Sequence, residues 1–171
     1  ISISRQRLGS DHYLVGYRLD FLASLYLESD DLPAAEEKAH EALRIYARSL
    51  PAEHLYVAST RQLLGDILIA RKRYPGAISE LRAAADLSRQ LAGDDSWRTA
   101  RANASLGWAR INAGDDPAGA TLLIESQRQL SQLLGDRNPA TQRASRYLAG
   151  YYRLHHRDAD AARVLATLDS R

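Results

Sequence analysis

The chain repeats itself every 42 residues, and this period limits what it can fold into more than any other feature. Pro33, Pro75 and Pro117 stand one period apart, and the next step falls on Ala159. In the same register lie Leu22, Leu64, Leu106 and Leu148, each followed by a small residue: Ala23, Gly65, Gly107 and Ala149. Ala35, Ala77, Gly119 and Ala161 form a further column, as do Ala39, Leu81, Leu123 and Leu165. Gly9, Pro51, Gly93 and Gly135 make a column of turn-formers. The units are about 9–50, 51–92, 93–134 and a shortened 135–171. Such a unit buries its apolar face only against its neighbours, so residues 1–171 are read as one repeat domain.

Within each unit the apolar pattern is helical twice over. Leu64, Ile67 and Leu68 follow three-and-four spacing, a turn follows at Lys72–Arg73–Tyr74, and Pro75 opens a second run through Ala77, Ile78, Leu81, Ala84 and Ala85. Proline suits the first turn of a helix, where its missing N–H would have had no partner. The spacing predicts helices near 12–29, 32–50, 54–71, 74–92, 96–113, 117–134, 139–155 and 159–169. Asp30–Asp31 and Asp115–Asp116 precede two of the prolines and are expected to cap the following helices. Gly65 and Gly107 cost helix stability, about 1 kcal/mol each against alanine, and imply close approach of the paired helix. Strand alternation and Asn-Gly or Asp-Gly hairpin turns are absent, so the fold class is all-α.

Composition then removes whole classes of chemistry. The 171 residues contain no cysteine, which excludes disulfides, thiolate zinc sites, iron–sulfur clusters and cysteine nucleophiles. A net charge of +2, balanced between the two halves, argues against a nucleic-acid partner. No apolar run is long enough for a membrane span or a signal peptide, so no membrane partner and a cytoplasmic location are expected. His155 and His156 are adjacent and diverge by about 100° on a helix, while His12 and His54 are repeat equivalents in a turn, so no metal site is expected. His156-Arg157-Asp158 and Ser10-Asp11-His12 carry the letters of catalytic motifs without their surroundings. Neither enzyme activity nor a cofactor is expected.

The segment Leu8-Gly9-Ser10-Asp11-His12-Tyr13-Leu14-Val15-Gly16 recurs as Leu50-Pro51-Ala52-Glu53-His54-Leu55-Tyr56-Val57-Ala58. It returns at Ala92-Gly93-Asp94-Asp95-Ser96 and at Leu134-Gly135-Asp136-Arg137-Asn138. With Leu-Gly in the first helix and Ala early in the second, the chain resembles the tetratricopeptide repeat, in the 42-residue variant found in kinesin light chains and many bacterial signalling proteins. The resemblance spans essentially the entire chain. It implies a right-handed superhelical solenoid of about four antiparallel helix pairs with a concave groove. Where the family carries a peptide-holding asparagine before Leu-Gly, this chain has Phe21, Leu63, Ser105 and Tyr147, so an asparagine ladder is not expected. The resemblance also makes residues 1–8 the tail of an upstream repeat and the chain a segment of a larger protein, with a natural terminus at its last helix.

At 100° per residue, Arg143, Arg146, Gly150 and Arg153 share one face of the helix over 139–155. One period earlier that face holds Arg101 and Trp108; the earlier repeats place Gln62 and Asp66, then Tyr17 and Asp20, in matching positions. By the resemblance this face lines the groove, making Arg101, Trp108, Arg143, Arg146, Arg153, Tyr17, Gln62 and Asp66 the candidate ligand-binding residues. The expected function is a protein-interaction scaffold that receives a peptide or protein segment. Its ligand is expected to be acidic with an apolar anchor on Trp108, its acidic end towards residue 153 and away from Asp20 and Asp66. The alternative is a structural or regulatory repeat domain of a bacterial signalling protein, a kinase or transcription regulator, acting through intramolecular or self-association contacts.

Overall fold

The computed structural model describes residues 12–169, which form eight helices and no strand. They are α1 (Tyr13–Glu28), α2 (Leu32–Ser49), α3 (Leu55–Ala70), α4 (Tyr74–Ala92), α5 (Trp97–Asn112), α6 (Asp116–Leu134), α7 (Pro139–Leu154) and α8 (Asp158–Asp169). Each lies within two residues of its expected bounds. The expected upstream tail at 1–8, the first turn-former Gly9 and the Ser10-Asp11 part of the first signature fall outside the described residues.

The starts of α1, α3, α5 and α7 share one device. His12, His54, Ser96 and Asn138, one period apart, each accept a hydrogen bond from the backbone N–H two residues on, at 3.2, 3.1, 3.2 and 2.9 Å. Two imidazoles thus act as N-caps through Nδ1, a task usually given to Ser, Thr, Asp or Asn. Of the acidic pairs, Asp31 caps α2 by accepting from Ala34 N at 3.2 Å. Asp115 makes no such bond: its carboxylate is held 3.1 Å from Arg110 Nε, so the expected cap is absent there.

The turns inside the repeats reveal a further column. Asp30, Lys72, Gly114 and His156 all adopt left-handed backbone, with φ of 62°, 57°, 92° and 56°. Behind each, the next N–H reaches back five residues: Asp31 to Tyr26 O, Arg73 to Leu68 O, Asp115 to Arg110 O and Arg157 to Tyr152 O, at 2.8–3.0 Å. This Schellman closure satisfies orphan carbonyls at each helix end, and three of the four sites use a residue other than the usual glycine.

The contacts divide the chain between Leu87 and Ser88 into two compact units. In the N-terminal unit, α1, α2 and α3 bury Val15, Leu19, Ala42, Ile45 and Tyr46 in one cluster. Leu81 of α4 lies fully buried against Gly65 of α3, filling the space a side chain there would need. In the C-terminal unit, Ala100, Ala104, Ile111, Leu123, Leu130, Ala144 and Leu148 form the core. There α5 and α6 meet backbone to backbone. A Cβ on Gly107 would stand 2.7 Å from Gly119 O, and one on Gly119 2.7 Å from Gly107 O. In the α5–α6 pair the two small-residue columns therefore pack into each other.

Candidate functional site

Within the C-terminal unit, the first turn of α7 is short-chained, with Pro139 and Ala140 following the Asn138 cap. The space this leaves is a pocket of about 160 Å³ lined by Arg101 of α5 and by Pro139, Ala140 and Arg143 of α7. Two guanidinium side chains thus border one small opening. Both keep their charge in any protein setting, and their planar donors match carboxylate geometry. Further along α7, Arg146 and Arg153 are exposed. Arg101 thus lies on α5 and Arg143, Arg146 and Arg153 on α7, within one unit.

Trp108 differs from its expected state. Its ring stacks on Tyr147, with centroids 5.4 Å apart and planes 9° from parallel. The far edge of the indole rests over Gly150, where an added Cβ would come within 2.8 Å of Cη2. Instead of an open platform, Trp108 is half-buried and joins α5 to α7. In the sequence Tyr147 stands where the repeat family carries its asparagine, which gives no sign of this stacking. The combination of a tryptophan with a glycine exactly one period further along, Trp108 and Gly150, is the signal that could have located this contact.

In the N-terminal unit, Tyr17 is 48% exposed and leans on Tyr56 at 5.6 Å, beside Tyr13, Tyr46 and His54. Gln62 and Asp66 are each 4% exposed, and Gln62 Nε2 donates to Asp66 Oδ1 at 3.0 Å. Asp20 accepts from Thr60 Oγ1 at 2.7 Å. The expected lining role of Gln62 and Asp66 is therefore corrected: buried side chains bonded to each other present no surface to a ligand. The carboxylates of Asp20 and Asp66 each accept an internal hydrogen bond, from Thr60 and from Gln62.

Other titratable side chains tie helices together. His155 Nε2 lies 2.9 Å from Asp116 Oδ2 and its ring packs on Tyr151, tying the end of α7 to the start of α6. Glu36 of α2 receives Arg71 and Arg73 at 2.6 and 2.7 Å. No group of three His, Cys, Asp or Glu among the described residues is disposed to hold a metal, and no helix among them is long and apolar enough to cross a membrane.

Comparison with known proteins gives the fold a place. No protein-family model matches the sequence, and no curated protein matches it. Solved structures do. Two crystal structures of nearly identical TPR-like repeats from a Podosopora anserina protein described as a kinesin light chain superpose with TM-scores of 0.71 and 0.68. Both are 18% identical to this chain and cover 98% of it; the match takes in 79% and 80% of their own lengths. BtubC (BKLC) from P. vanneervenii superposes with a TM-score of 0.72 at 20% identity, over 92% of this chain and 66% of its own. The fold is that of kinesin-light-chain-type TPR-like repeats.

Proposed function

We propose that the chain is a protein-interaction scaffold whose C-terminal unit binds an acidic segment of another protein. The observation that carries this is the pocket between α5 and α7, bordered by Arg101 and Arg143, with Arg146 and Arg153 exposed along the same helix. A carboxylate entering the pocket sits beside two permanent positive charges, and the exposed arginines attract the rest of an acidic ligand before contact. Repeat arrays of this fold commonly offer such extended faces to partners, and no chemistry by the chain itself is required. Trp108 and Tyr147, both only half-buried, lie on the same two helices, and their remaining exposed edges are the apolar surface assigned to an aliphatic or aromatic residue beside the acidic run.

Fluorescence anisotropy with a labelled peptide of alternating Glu-rich and Leu- or Phe-containing stretches tests the proposal. Binding should weaken steeply as salt rises. Reversing Arg143 and Arg146 to Glu together should chiefly slow association and flatten the salt dependence. A Lys-rich peptide of the same length should not bind. Equal binding of the acidic peptide by the parent and the double reversal, with helicity unchanged, would put the contact elsewhere.

A further inference from the structure

A cavity of about 250 Å³ opens in the N-terminal unit, larger than the pocket between α5 and α7 and lined only by residues between 43 and 87. The end of α2, the turn after it, α3 and α4 form its wall, so it lies where the first and second repeats meet and both contribute to it. Tyr46 is buried in this wall, and Leu43 and Leu50 are half-buried. The exposed residues of the wall, Ala47, Pro51 and Ala52, are short. Arg61 is its one charged side chain, and Arg61 Nη1 donates to Glu80 Oε2 at 2.7 Å.

One period on, the equivalent positions are tied together by polar bonds. Arg89, Gly93, Asp94, Thr99 and Gln129 stand where the first junction has Ala47, Pro51, Ala52, Val57 and Leu87. Arg89 Nε donates to Asp94 Oδ1 at 2.6 Å, Thr99 Oγ1 to Gly93 O at 2.9 Å and Gln129 Nε2 to Asp94 O at 3.1 Å. At the first junction none of the five side chains can donate or accept. These three bonds cannot form there, and the space between the repeats is bounded chiefly by carbon.

We infer that this cavity binds a small, uncharged, apolar molecule about the size of a bicyclic aromatic ring. Volume sets the size: an apolar cavity of about 150 Å³ holds benzene, and 250 Å³ leaves room for a second fused ring. The ring of a partner's phenylalanine would leave much of the space empty, which favours a free molecule over a docked side chain. The wall sets the polarity, because a polar group pressed against carbon loses its water and gains no partner. Arg61 and Glu80 set the charge. Glu80 already answers the guanidinium, so a ligand carboxylate would have to compete with it, and a ligand ammonium would meet a like charge. The site is independent of the acidic-segment reading, which rests on the C-terminal unit.

A ligand-observed NMR titration of the full chain with indole should give a dissociation constant of about 0.1–1 mM, the range open to a ligand of so few heavy atoms. Indole-3-carboxylate should bind at least about tenfold more weakly. Ala47→Arg combined with Ala52→Asp installs, at two exposed positions, the ion pair that Arg89 and Asp94 make one period on. This double variant should lose indole binding by at least about tenfold with its far-ultraviolet circular dichroism unchanged. Ala47→Leu fills the same opening with carbon and should do likewise, which keeps the test open if the double variant does not fold. Absence of indole binding to the parent at about 2 mM overturns the inference. So does equal affinity of the parent and the folded filled variants, or equal affinity for indole and its carboxylate. Binding of a blocked Gly-Trp-Gly peptide without binding of free indole also overturns it, and assigns the cavity to a partner's side chain.

Discussion

Adding one methyl group at Gly107 should destabilise the C-terminal unit even though it improves helix propensity. The gain from replacing a mid-helix glycine by alanine is about 1 kcal/mol. Against it stand the contacts of the new Cβ: Gly119 O at 2.7 Å, Leu123 N at 2.8 Å and Leu123 Cβ at 3.0 Å. Comfortable carbon contacts lie near 3.5–4.0 Å, so the overlap is on the order of 0.7 Å. Two of the three atoms are backbone and cannot rotate away, so α5 and α6 must part by a comparable amount. Overpacking of this kind costs about 1–3 kcal/mol, and a rigid backbone collision belongs at the upper end. The net expectation for Gly107→Ala is a loss of about 2 kcal/mol. Gly119→Ala should behave alike, since its Cβ would meet Gly107 O at 2.7 Å and Ile111 N at 2.9 Å. The same separation of helices relieves both collisions, so the double variant should cost at least about 0.5 kcal/mol less than the sum of the singles. Gly76→Ala in the N-terminal unit is the control, followed by far-ultraviolet circular dichroism: its nearest new neighbour is Leu68 Cδ1 at an ordinary 3.4 Å, so it should not destabilise. Both tryptophans, Trp97 and Trp108, lie in α5, so urea unfolding followed by their emission reports on the unit that holds the glycine pair. A raised urea midpoint for Gly107→Ala, or strict additivity in the double variant, would refute the backbone-contact argument.

Gly150→Ala should push Trp108 off Tyr147, because the added Cβ comes within 2.8 Å of the indole edge; a red-shifted tryptophan emission and a loss of about 1 kcal/mol are expected, and an unchanged spectrum would deny the contact. Tyr46→Phe should flatten the alkaline limb of the stability curve. Burial, with the Asp20 carboxylate nearby, pushes the Tyr46 phenol above its ordinary value of 10.0. The native state then holds this proton more tightly than the unfolded chain. The resulting stability is complete below about pH 10 and falls as pH rises beyond it, by at most about 1.4 kcal/mol per pH unit. Denaturation midpoints between pH 9 and 11 should therefore drop less for the variant than for the parent, and equal drops would reject the assignment.

The helix pairs were legible because they are local matters repeated four times. A 42-residue register, prolines at second-helix starts and three-and-four apolar spacing require no knowledge of what lies across the interface, and all eight helices follow from them. The pairing of small columns was legible in kind, since a mid-helix glycine needs a reason, but not in partner. Only the folded chain shows that Gly107 meets Gly119 while Gly65 meets the Leu81 side chain. The turn column Asp30, Lys72, Gly114 and His156 is not legible in the sequence because left-handed backbone is ordinarily announced by glycine, and here the helix-end hydrogen bonds hold three other residues in that conformation.

The candidate site divides along the same line. Helical geometry placed Arg143, Arg146 and Arg153 on one face of α7, with Arg101 one period earlier, and the structure sets Arg101 and Arg143 around one pocket. Whether a polar side chain on that face meets solvent or its neighbour depends on what packs beside it, which no spacing rule contains. Gln62 occupies the same column as the exposed Arg146 yet bonds to Asp66 in the interior, and Trp108 lays its flat face on Tyr147. Periodicity alone decides which residues share a face, because it is a property of a single helix; what that face is free to touch is decided by the tertiary contacts that cover it or leave it bare.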